Sequence, residues 1–320
     1  MGSKSIMPGS VFPVYRALAA TVALALFLRV DGAGVVAVSR ERIAGATLVE
    51  QAAASRFALA TVVDRTGKAL VDIGADDFVV QEAGANREVL DVRVADYPVA
   101  IVVDNGRRAG ADFLSIRAAI GRFIDRLGPR PLALVTTAPA PAVVAGLDDE
   151  RPTVVSRLEA IDAPGGVDGQ PLRATALAAQ TMHATGALFS AIVVVTATPV
   201  EVGGTAAEPF LASIIDSGAV VHVVAHAPDT SGPAGWSPPD GAATTGAEGA
   251  FRSIAQQMHG EFAAIFASPS YQPALDRLVT RLTTELLVEY IVPVGSRALD
   301  VTIGVRVPGA RVRGLGVAPR

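Results

Sequence analysis

The feature that most constrains this chain is a series of short apolar segments that alternate with helical patterns. Residues 99–103, 191–196 and 219–225 are rich in Val, Ile and Ala, and each precedes a segment with helical character. Strands that are apolar on both sides are typical of a parallel sheet covered by helices on both faces. Residues 98–292 are therefore predicted to form a mostly parallel α/β sheet with helices on both faces.

The segments on either side of this sheet have a different pattern. Residues 57–97 contain alternating apolar positions, such as Phe78 and Val80, which are typical of a half-buried antiparallel sheet. Residues 293–320 also alternate, and we expect them to pair with residues 57–97, so that both ends of the chain build one sheet in a small β-module. The Ala-rich, polar residues 38–56 are predicted to be a linker or a loose helix.

Composition excludes several classes of function. Of the 320 residues, 50% are apolar and 18% are charged, which supports a sizeable core. The formal net charge of −4 gives no sign of nucleic-acid binding. The chain has no cysteine, which excludes disulfides, thiolate metal sites and cysteine nucleophiles.

The first residues resemble an export signal. Lys4 and Arg16 precede an apolar run at residues 17–28, and Arg29 ends it. This run of twelve residues, apolar except for Thr21, matches the core of a signal peptide and falls short of the roughly 20 residues needed to span a bilayer. We therefore predict that residues 1–37 are a signal peptide and that the protein is exported to the periplasm or beyond. An uncleaved anchor in the inner membrane and a buried helix are the alternatives.

A carboxylate stands where a sheet of this kind binds ligands. Asp104 directly follows the predicted strand 99–103, and the carboxyl ends of such strands face the ligand crevice. A carboxylate at this place usually holds a metal ion. The next four residues, however, are Asn, Gly, Arg and Arg, with no hydroxyl among them.

Four segments carry a resemblance to a known family. They are VVDRTGKALVDIGADDFVVQEAG before the predicted sheet, VAIVVDNGRR at its first strand, AIVVVTAT at its central strand, and the tail LLVEYIVPVGSRALDVTIGVRVPGARVRG. Over residues 57–318 the chain resembles a von Willebrand factor A-type domain, and more narrowly the bacterial VWFA-related proteins abundant in Acidobacteria. The resemblance implies a Rossmann-like, doubly wound, mostly parallel sheet and an adhesive or scaffolding role, usually without catalysis.

The family holds a divalent cation through an Asp-x-Ser-x-Ser strand end, a Thr on a later loop and an Asp after the central strand. Oxygen ligands are needed because Mg²⁺ demands octahedral oxygen coordination. In this chain the corresponding positions are Asp104, Gly106, Arg108, Gln170 and Ala197. Four of the five ligands are thus replaced, and we predict that no Mg²⁺ binds at the usual place. A weak site rebuilt from Asp104 and the two threonines beside Ala197 is the alternative.

The two arginines after Asp104 suggest a different use of this region. A lone carboxylate beside Arg107 and Arg108 should pair with them. The internal ion pair is expected with Asp104 or Asp112. Alternatively, the two guanidinium groups bind a carboxylate from a partner.

The remaining candidates lie on the predicted partner-binding rim. Besides Arg107, we expect this rim to include Thr196, Thr198, His226 and Trp236, the last in the Pro- and Gly-rich stretch 227–249. His226 is interpreted as a tolerated polar residue at a strand end, with a Zn²⁺ or acid–base role as the alternative.

Taken together, these patterns predict a non-enzymatic, exported module that binds a protein partner without a bridging metal. No cofactor and no nucleic acid are expected, and contact with a membrane is expected only through residues 1–37. A metal-dependent adhesion domain and an enzyme at the His226 rim are the alternatives. The sequence does not indicate the oligomeric state.

Overall fold

A doubly wound sheet and a small β-sandwich make up the part of the chain that the computed structural model describes, and that part belongs to one compact unit. The described residues are 53–163, 166–198, 207–227, 247–296 and 300–318. The predicted signal segment 1–37 and Trp236 lie outside these residues, as does most of the predicted linker.

The central sheet has six strands: β5 (Val99–Val103), β6 (Leu132–Thr136), β7 (Ala142–Ala145), β8 (Ala191–Thr196), β9 (Val220–His226) and β10 (Phe262–Ile265). Their order is β10-β9-β8-β5-β6-β7. All neighbouring pairs are parallel except β6 and β7. The predicted Rossmann-like, mostly parallel sheet is therefore confirmed by the strand order.

Helices cover both faces of this sheet. Successive residues of a strand point to opposite faces, so strands such as β5, which is apolar at every position, have apolar side chains to bury on both. On one face, residues such as Ile101 pack against α1 (Phe113–Arg126), α2 (Arg151–Glu159) and α6 (Tyr271–Leu282). On the other face, residues such as Val102 pack against the remaining three helices, which are α3 (Pro171–Ala184), α4 (Glu208–Asp216) and α5 (Ala247–Gln257). No helix in the described ranges has the length and apolar content needed to cross a membrane.

The small β-module consists of two antiparallel sheets. The seven strands are β1 (Ala53–Val63), β2 (Phe78–Glu82), β3 (Ala85–Arg87), β4 (Val89–Val94), β11 (Glu285–Pro293), β12 (Thr302–Val305) and β13 (Arg311–Ala318). One sheet has the order β13-β1-β11-β4 and the other the order β12-β2-β3. Between them lies a separate apolar core that includes Phe78, Val80 and Tyr290.

Several expectations about this module need correction. The two chain ends do pair, through β1 and β13, but they build two sheets rather than one. β1 begins at Ala53, inside the segment predicted as a linker. Helix α6 ends at Leu282, and β11, which starts at Glu285 inside the predicted central-sheet segment 98–292, joins the sandwich between β1 and β4.

The carboxyl ends of the five parallel strands meet at one edge of the central sheet, which we call the top edge. The residues that follow these strands are Asp104, Thr137, Ala197, Ala227 and Phe266. The chain leaves β5 toward β6 on one side and later returns to β8 on the other. In open α/β sheets, ligands bind at such a switch point, and Asp104 lies at this one.

A buried histidine within the sheet makes stability depend on pH. His222 in β9 is 1% exposed, and its Nδ1 accepts a hydrogen bond from the amide of Glu261 at 3.1 Å. Burial, assisted by the nearby positive charge of Arg281, lowers the pKa of His222 to about 3. The folded state therefore excludes a proton that the unfolded state binds near pH 6.5.

We expect the free energy of unfolding to fall as the pH drops below 6.5, at a slope of up to about 1.4 kcal/mol per pH unit from His222 alone. The contribution is complete above pH 6.5, because neither state then binds the proton. Urea unfolding at pH 7.0, 6.0 and 5.0 measures this slope. His222→Asn keeps an acceptor for the Glu261 amide and should have a visibly shallower slope. Identical slopes in the two proteins would contradict the assignment.

Candidate functional site

Asp104 is fully buried between the ends of β5 and β8, with 0% exposure. Its Oδ2 accepts hydrogen bonds from the hydroxyl of Thr196 at 2.8 Å, the amide of Ala197 at 3.0 Å and the amide of Thr198 at 2.8 Å. All three donors come from the last residue of β8 and the turn after it. One carboxylate oxygen is thus fully engaged by the neighbouring strand.

The second oxygen of Asp104 is engaged from the other side. Its Oδ1 accepts hydrogen bonds from the amide of Gly106 at 3.1 Å and from the hydroxyl of Thr137 at 2.9 Å. Thr137 directly follows β6, which is the other neighbour of β5. The carboxylate therefore joins the carboxyl ends of three adjacent strands, and every donor is an uncharged group of this chain.

Two glycines close the space over the carboxylate. A Cβ atom added to Gly106 would lie 2.2 Å from the backbone nitrogen of Gly169. A Cβ atom added to Gly169 would lie 2.6 Å from Oδ1 of Asp104 and 2.7 Å from Oγ1 of Thr137. The backbone of the segment 166–170 therefore lies directly against the strand end, and no larger residue fits at either position.

Asn105 holds the turn that carries Thr137. Its side-chain oxygen accepts the amides of Thr137 at 3.1 Å and Ala138 at 2.9 Å. Its side-chain nitrogen donates to the carbonyls of Ala138 at 3.0 Å and Asp162 at 3.2 Å. Asn105 is 5% exposed, and both polar groups of its side chain have hydrogen-bond partners, so it orients the loop after β6 toward Asp104.

The residues at the family's cation-binding positions do not fit Mg²⁺. Gly106 and Ala197 offer no side-chain oxygen, and the exposed Arg108 carries a positive charge. The side chain of Gln170 donates to the carbonyl of Pro139 and accepts from Arg173, with no contact to Asp104. Mg²⁺ needs about six oxygen ligands in octahedral geometry. Both oxygens of the Asp104 carboxylate are already engaged, and the hydroxyls of Thr137 and Thr196 are used as donors to it. The hydroxyl of Thr198 is buried without a hydrogen-bond partner among the described residues, but one such oxygen falls well short of an octahedral set.

The predicted pairing of Asp104 with the arginines is wrong. Arg107 instead binds Asp168 through two hydrogen bonds, Nε to Oδ1 at 3.1 Å and Nη2 to Oδ2 at 2.8 Å. The side chains are 57% and 52% exposed, so this pair contributes little to stability. A guanidinium would have to enter a space that Gly106 and Gly169 close, whereas neutral donors of the adjacent strands already reach Asp104.

A second polar cluster lies at the top edge around Asp112, just before α1. Nδ1 of His226, at the end of β9, is 2.8 Å from Oδ2 of Asp112, and the hydroxyl of Ser268 donates to Oδ1 of the same carboxylate. Asp112 is 6% exposed, and the His226 side chain is 30% exposed. The expected ion pair between Asp112 and the arginines is therefore wrong as well, because the carboxylate faces His226 and Ser268.

The order of these groups limits their chemistry. The carboxylate stands between the hydroxyl and the imidazole, so His226 makes no hydrogen bond to Ser268 and is not placed to remove its proton. In a serine nucleophile system the imidazole stands in the middle. Across the described ranges, no three His, Asp or Glu side chains are grouped in a way that suits a metal ion.

Tyr271 connects the two clusters. Its hydroxyl donates to the carbonyl of Thr196 at 3.2 Å, and its side chain is fully buried. Burial raises the pKa of Tyr271 well above its ordinary value, and the negative charges of Asp112 and Asp104 add to the shift. The phenol therefore stays a neutral donor between the two carboxylates.

Sequence reasoning places Asp104, Thr196, Ala197 and Thr198 together at one site, and the structure does the same. The prediction that Thr196 and Thr198 belong to a partner-binding rim is wrong, because they are only 1% and 8% exposed. Sequence reasoning missed the main residues on the other side of the Asp104 carboxylate and around Asp112. These are Asn105, Thr137, Gly169, Ser268 and Tyr271. Thr137 had a usable signal, because it lies at the carboxyl end of the apolar segment 132–136, which the structure places beside the strand of Asp104. Nothing in the sequence marks Gly169 as a site residue, apart from its being a glycine outside the predicted strands and helices.

Comparison with known proteins gives matches only among solved structures. No protein-family model matches the chain, and no curated protein matches it. A von Willebrand factor type A protein from Catenulispora acidiphila is 12% identical, with a TM-score of 0.46 over 82% of this chain and 72% of that one. The hypothetical protein BatB from Bacteroides thetaiotaomicron is 19% identical, with a TM-score of 0.42 over 58% of this chain and 97% of that one.

Proximal thread matrix protein 1 from the mussel byssus is 8% identical, with a TM-score of 0.46 over 59% of this chain. The chain spans about half of that protein, 48% of its length. The strand order and the helices on both faces, rather than these scores, establish the fold. It is the von Willebrand factor A-like, doubly wound sheet that the sequence predicts, with a β-module built from both ends of the chain.

Proposed function

We propose that this chain is a non-enzymatic protein-interaction module of the von Willebrand factor A type, from the bacterial VWFA-related subfamily. It binds a protein partner at the top edge without a bridging metal ion. The observation that carries the proposal is the state of Asp104, whose two oxygens accept hydrogen bonds from the chain itself. A metal-dependent adhesion site needs a carboxylate oxygen that is open toward the ion.

The exposed side chains of the top edge suit a protein partner. Phe266, which follows β10, is 71% exposed, and Leu114 in the first turn of α1 is 70% exposed. Arg107 and Arg108 are exposed on the short helical turn after Asp104. Exposed aromatic and arginine side chains are the residue types that contribute most to binding at protein interfaces. His226 adds a partly exposed imidazole to the same edge.

The non-enzymatic part of the proposal is supported by the order of groups around Asp112. The carboxylate separates Ser268 from His226, so the cluster lacks an activated nucleophile. The proposal involves no cofactor and no nucleic acid, in keeping with the net charge of −4. It places the protein outside the cytoplasm because of the signal-like residues 1–37.

We expect top-edge substitutions to abolish capture of the partner. The purified chain is used to capture proteins from an envelope extract, in the presence of EDTA or of 10 mM Mg²⁺. Phe266→Ser and Arg108→Glu should lower recovery of the partner by tenfold or more, because each removes an exposed contact. Leu90→Ser is the matched control, since Leu90 is 45% exposed but lies on β4 of the sandwich. Recovery should be equal with and without the cation.

The outcomes separate the alternatives. A partner that binds the control and both top-edge variants equally would contradict the proposed surface. Recovery that is lost in EDTA would instead favour a metal-dependent adhesion site rebuilt from Asp104, Thr196 and Thr198. Recovery of nothing above a tag-only sample would contradict the interaction role itself.

A further inference from the structure

We infer that Thr137, together with the backbone of Gly169, replaces a divalent cation at the top edge. The chain ties the ends of β5, β6 and the segment 166–170 to the Asp104 carboxylate, so that the edge holds one closed arrangement in the absence of any ion. Thr137 is thus a positioning residue for the proposed binding surface. The inference rests on the proposed metal-free function but not on the identity of a partner.

The first support is the position of the Thr137 hydroxyl. It donates to Oδ1 of Asp104 at 2.9 Å, and its oxygen accepts the amide of Asn105 at 3.3 Å. Thr137 is 0% exposed, so this hydroxyl has no access to solvent. A bound cation would neutralise the Asp104 carboxylate by coordinating one of its oxygens. In this chain the Thr137 hydroxyl instead donates a hydrogen bond to Oδ1.

The second support is the lack of space for a coordinated ion beside Oδ1 of Asp104. The hypothetical Cβ of Gly169 lies 2.6 Å from Oδ1 of Asp104 and 2.7 Å from Oγ1 of Thr137, so the Gly169 backbone lies close to both oxygens. A Mg²⁺ ion needs an oxygen ligand at about 2.1 Å and five more around it. That shell would overlap the backbone of the segment 166–170.

The third support is the way the segment 166–170 is attached. The amide of Gln170 donates to the carbonyl of Thr137 at 3.1 Å, and the amide of Arg107 donates to the carbonyl of Val167 at 2.7 Å. The side chain of Arg107 also binds Asp168. The segment is therefore bonded both to the end of β6 and to the turn after β5. Its closed position does not depend on a single contact.

The test compares Thr137→Val with Thr137→Ser. Valine keeps the shape of threonine but removes the hydroxyl, whereas serine keeps it. We expect Thr137→Val to lower the melting temperature by roughly 5 °C and Thr137→Ser to lower it by clearly less. In Thr137→Val, the Arg107 and Gln170 amides should also exchange hydrogen at least about tenfold faster, because the closed segment opens more often. The Ile291 amide, which donates to Glu88 in the sandwich, is the internal control.

A second measurement uses the unmodified protein and needs no variant to fold. A cation bound with a dissociation constant of about 1 mM would raise the melting temperature by several degrees at 10 mM. We expect no shift in 10 mM Mg²⁺ or Mn²⁺ and no heat of binding by calorimetry. A cation-dependent shift that disappears in Asp104→Asn would overturn the inference.

The inference would also be overturned if Thr137→Val matched Thr137→Ser in both melting temperature and amide exchange. These outcomes are distinct from a failure of the proposed function. A protein with no recoverable partner can still show the cation-independent melting and the specific effect of the valine. A protein that binds its partner only with Mg²⁺ would contradict both.

Discussion

Gly106→Ser is expected to lower the free energy of unfolding by about 3 kcal/mol, although serine is the residue that the family's cation site uses at this position. The Cβ of any side chain here would lie 2.2 Å from the backbone nitrogen of Gly169. The serine therefore forces the segment 166–170 away from Asp104, which breaks the contacts on the Thr137 side of the carboxylate. Introducing one residue from the motif of the family that this chain resembles should damage the site rather than create an ion-binding site.

The effect should come from space and not from backbone conformation. Gly106 has φ −72° and ψ 171°, which any residue adopts without strain. Gly74 is the matched control: it too precedes a three-residue helical turn, with φ −94° and ψ 177°, but nothing lies within 4 Å of its hypothetical Cβ. Gly74→Ser should change the free energy of unfolding by less than about 0.5 kcal/mol.

Urea unfolding of the two variants and the unmodified protein gives the comparison. Gly169→Ala should resemble Gly106→Ser, because its Cβ meets Asp104 and Thr137. Adding Mg²⁺ should not recover the stability of Gly106→Ser. A Gly106→Ser protein as stable as Gly74→Ser would show that the two backbones can separate at little cost. The closed arrangement would then be wrong.

The central sheet could be predicted from the sequence because each strand is marked by its own residues. Residues 99–103 and 191–196 are apolar at every position or nearly so, and their burial on both faces follows directly. The sandwich could not be predicted to the same degree. The alternation of Phe78 and Val80 shows that one face of a strand is buried, but it does not show which strands share a sheet. β2 pairs with β12, more than 200 residues away, and only tertiary packing selects that partner.

The candidate site, like the fold, could be predicted from the sequence only in part. The place of Asp104 follows from the end of an apolar strand and the geometry of α/β sheets. The hydrogen-bond partners of Asp104 could not be predicted from charge. The two neighbouring arginines predicted an ion pair with Asp104, and among the described residues the structure shows none. The structure instead supplies neutral donors such as Thr137, which approach only because Gly106 and Gly169 leave no side chain between the backbones. The absence of a side chain is a weak signal in a sequence with 31 glycines.

Glu82→Gln is expected to destabilise the sandwich strongly, by about 3–5 kcal/mol. Glu82 in β2 is 1% exposed, and its Oε1 binds Nη1 of Arg56 in β1, which is 4% exposed. Its Oε2 lies 3.5 Å from Nε of Arg87 in β3. The carboxylate therefore joins the two sheets and balances two guanidinium groups. Glutamine keeps the size of the side chain but leaves the buried charge of Arg56 without a counter-charge.

Asp91→Asn is the matched control, because it removes the same charge from an exposed pair in the same module. Asp91 and Arg93 are 49% and 50% exposed, and such pairs contribute about 0–1 kcal/mol. The double variant Arg56→Met with Glu82→Gln should be more stable than Glu82→Gln alone, since it removes the uncompensated charge and keeps the volume. Urea unfolding measures all three. If the double variant is less stable than the single one, the cost lies in lost packing of Arg56 and not in its unpaired charge.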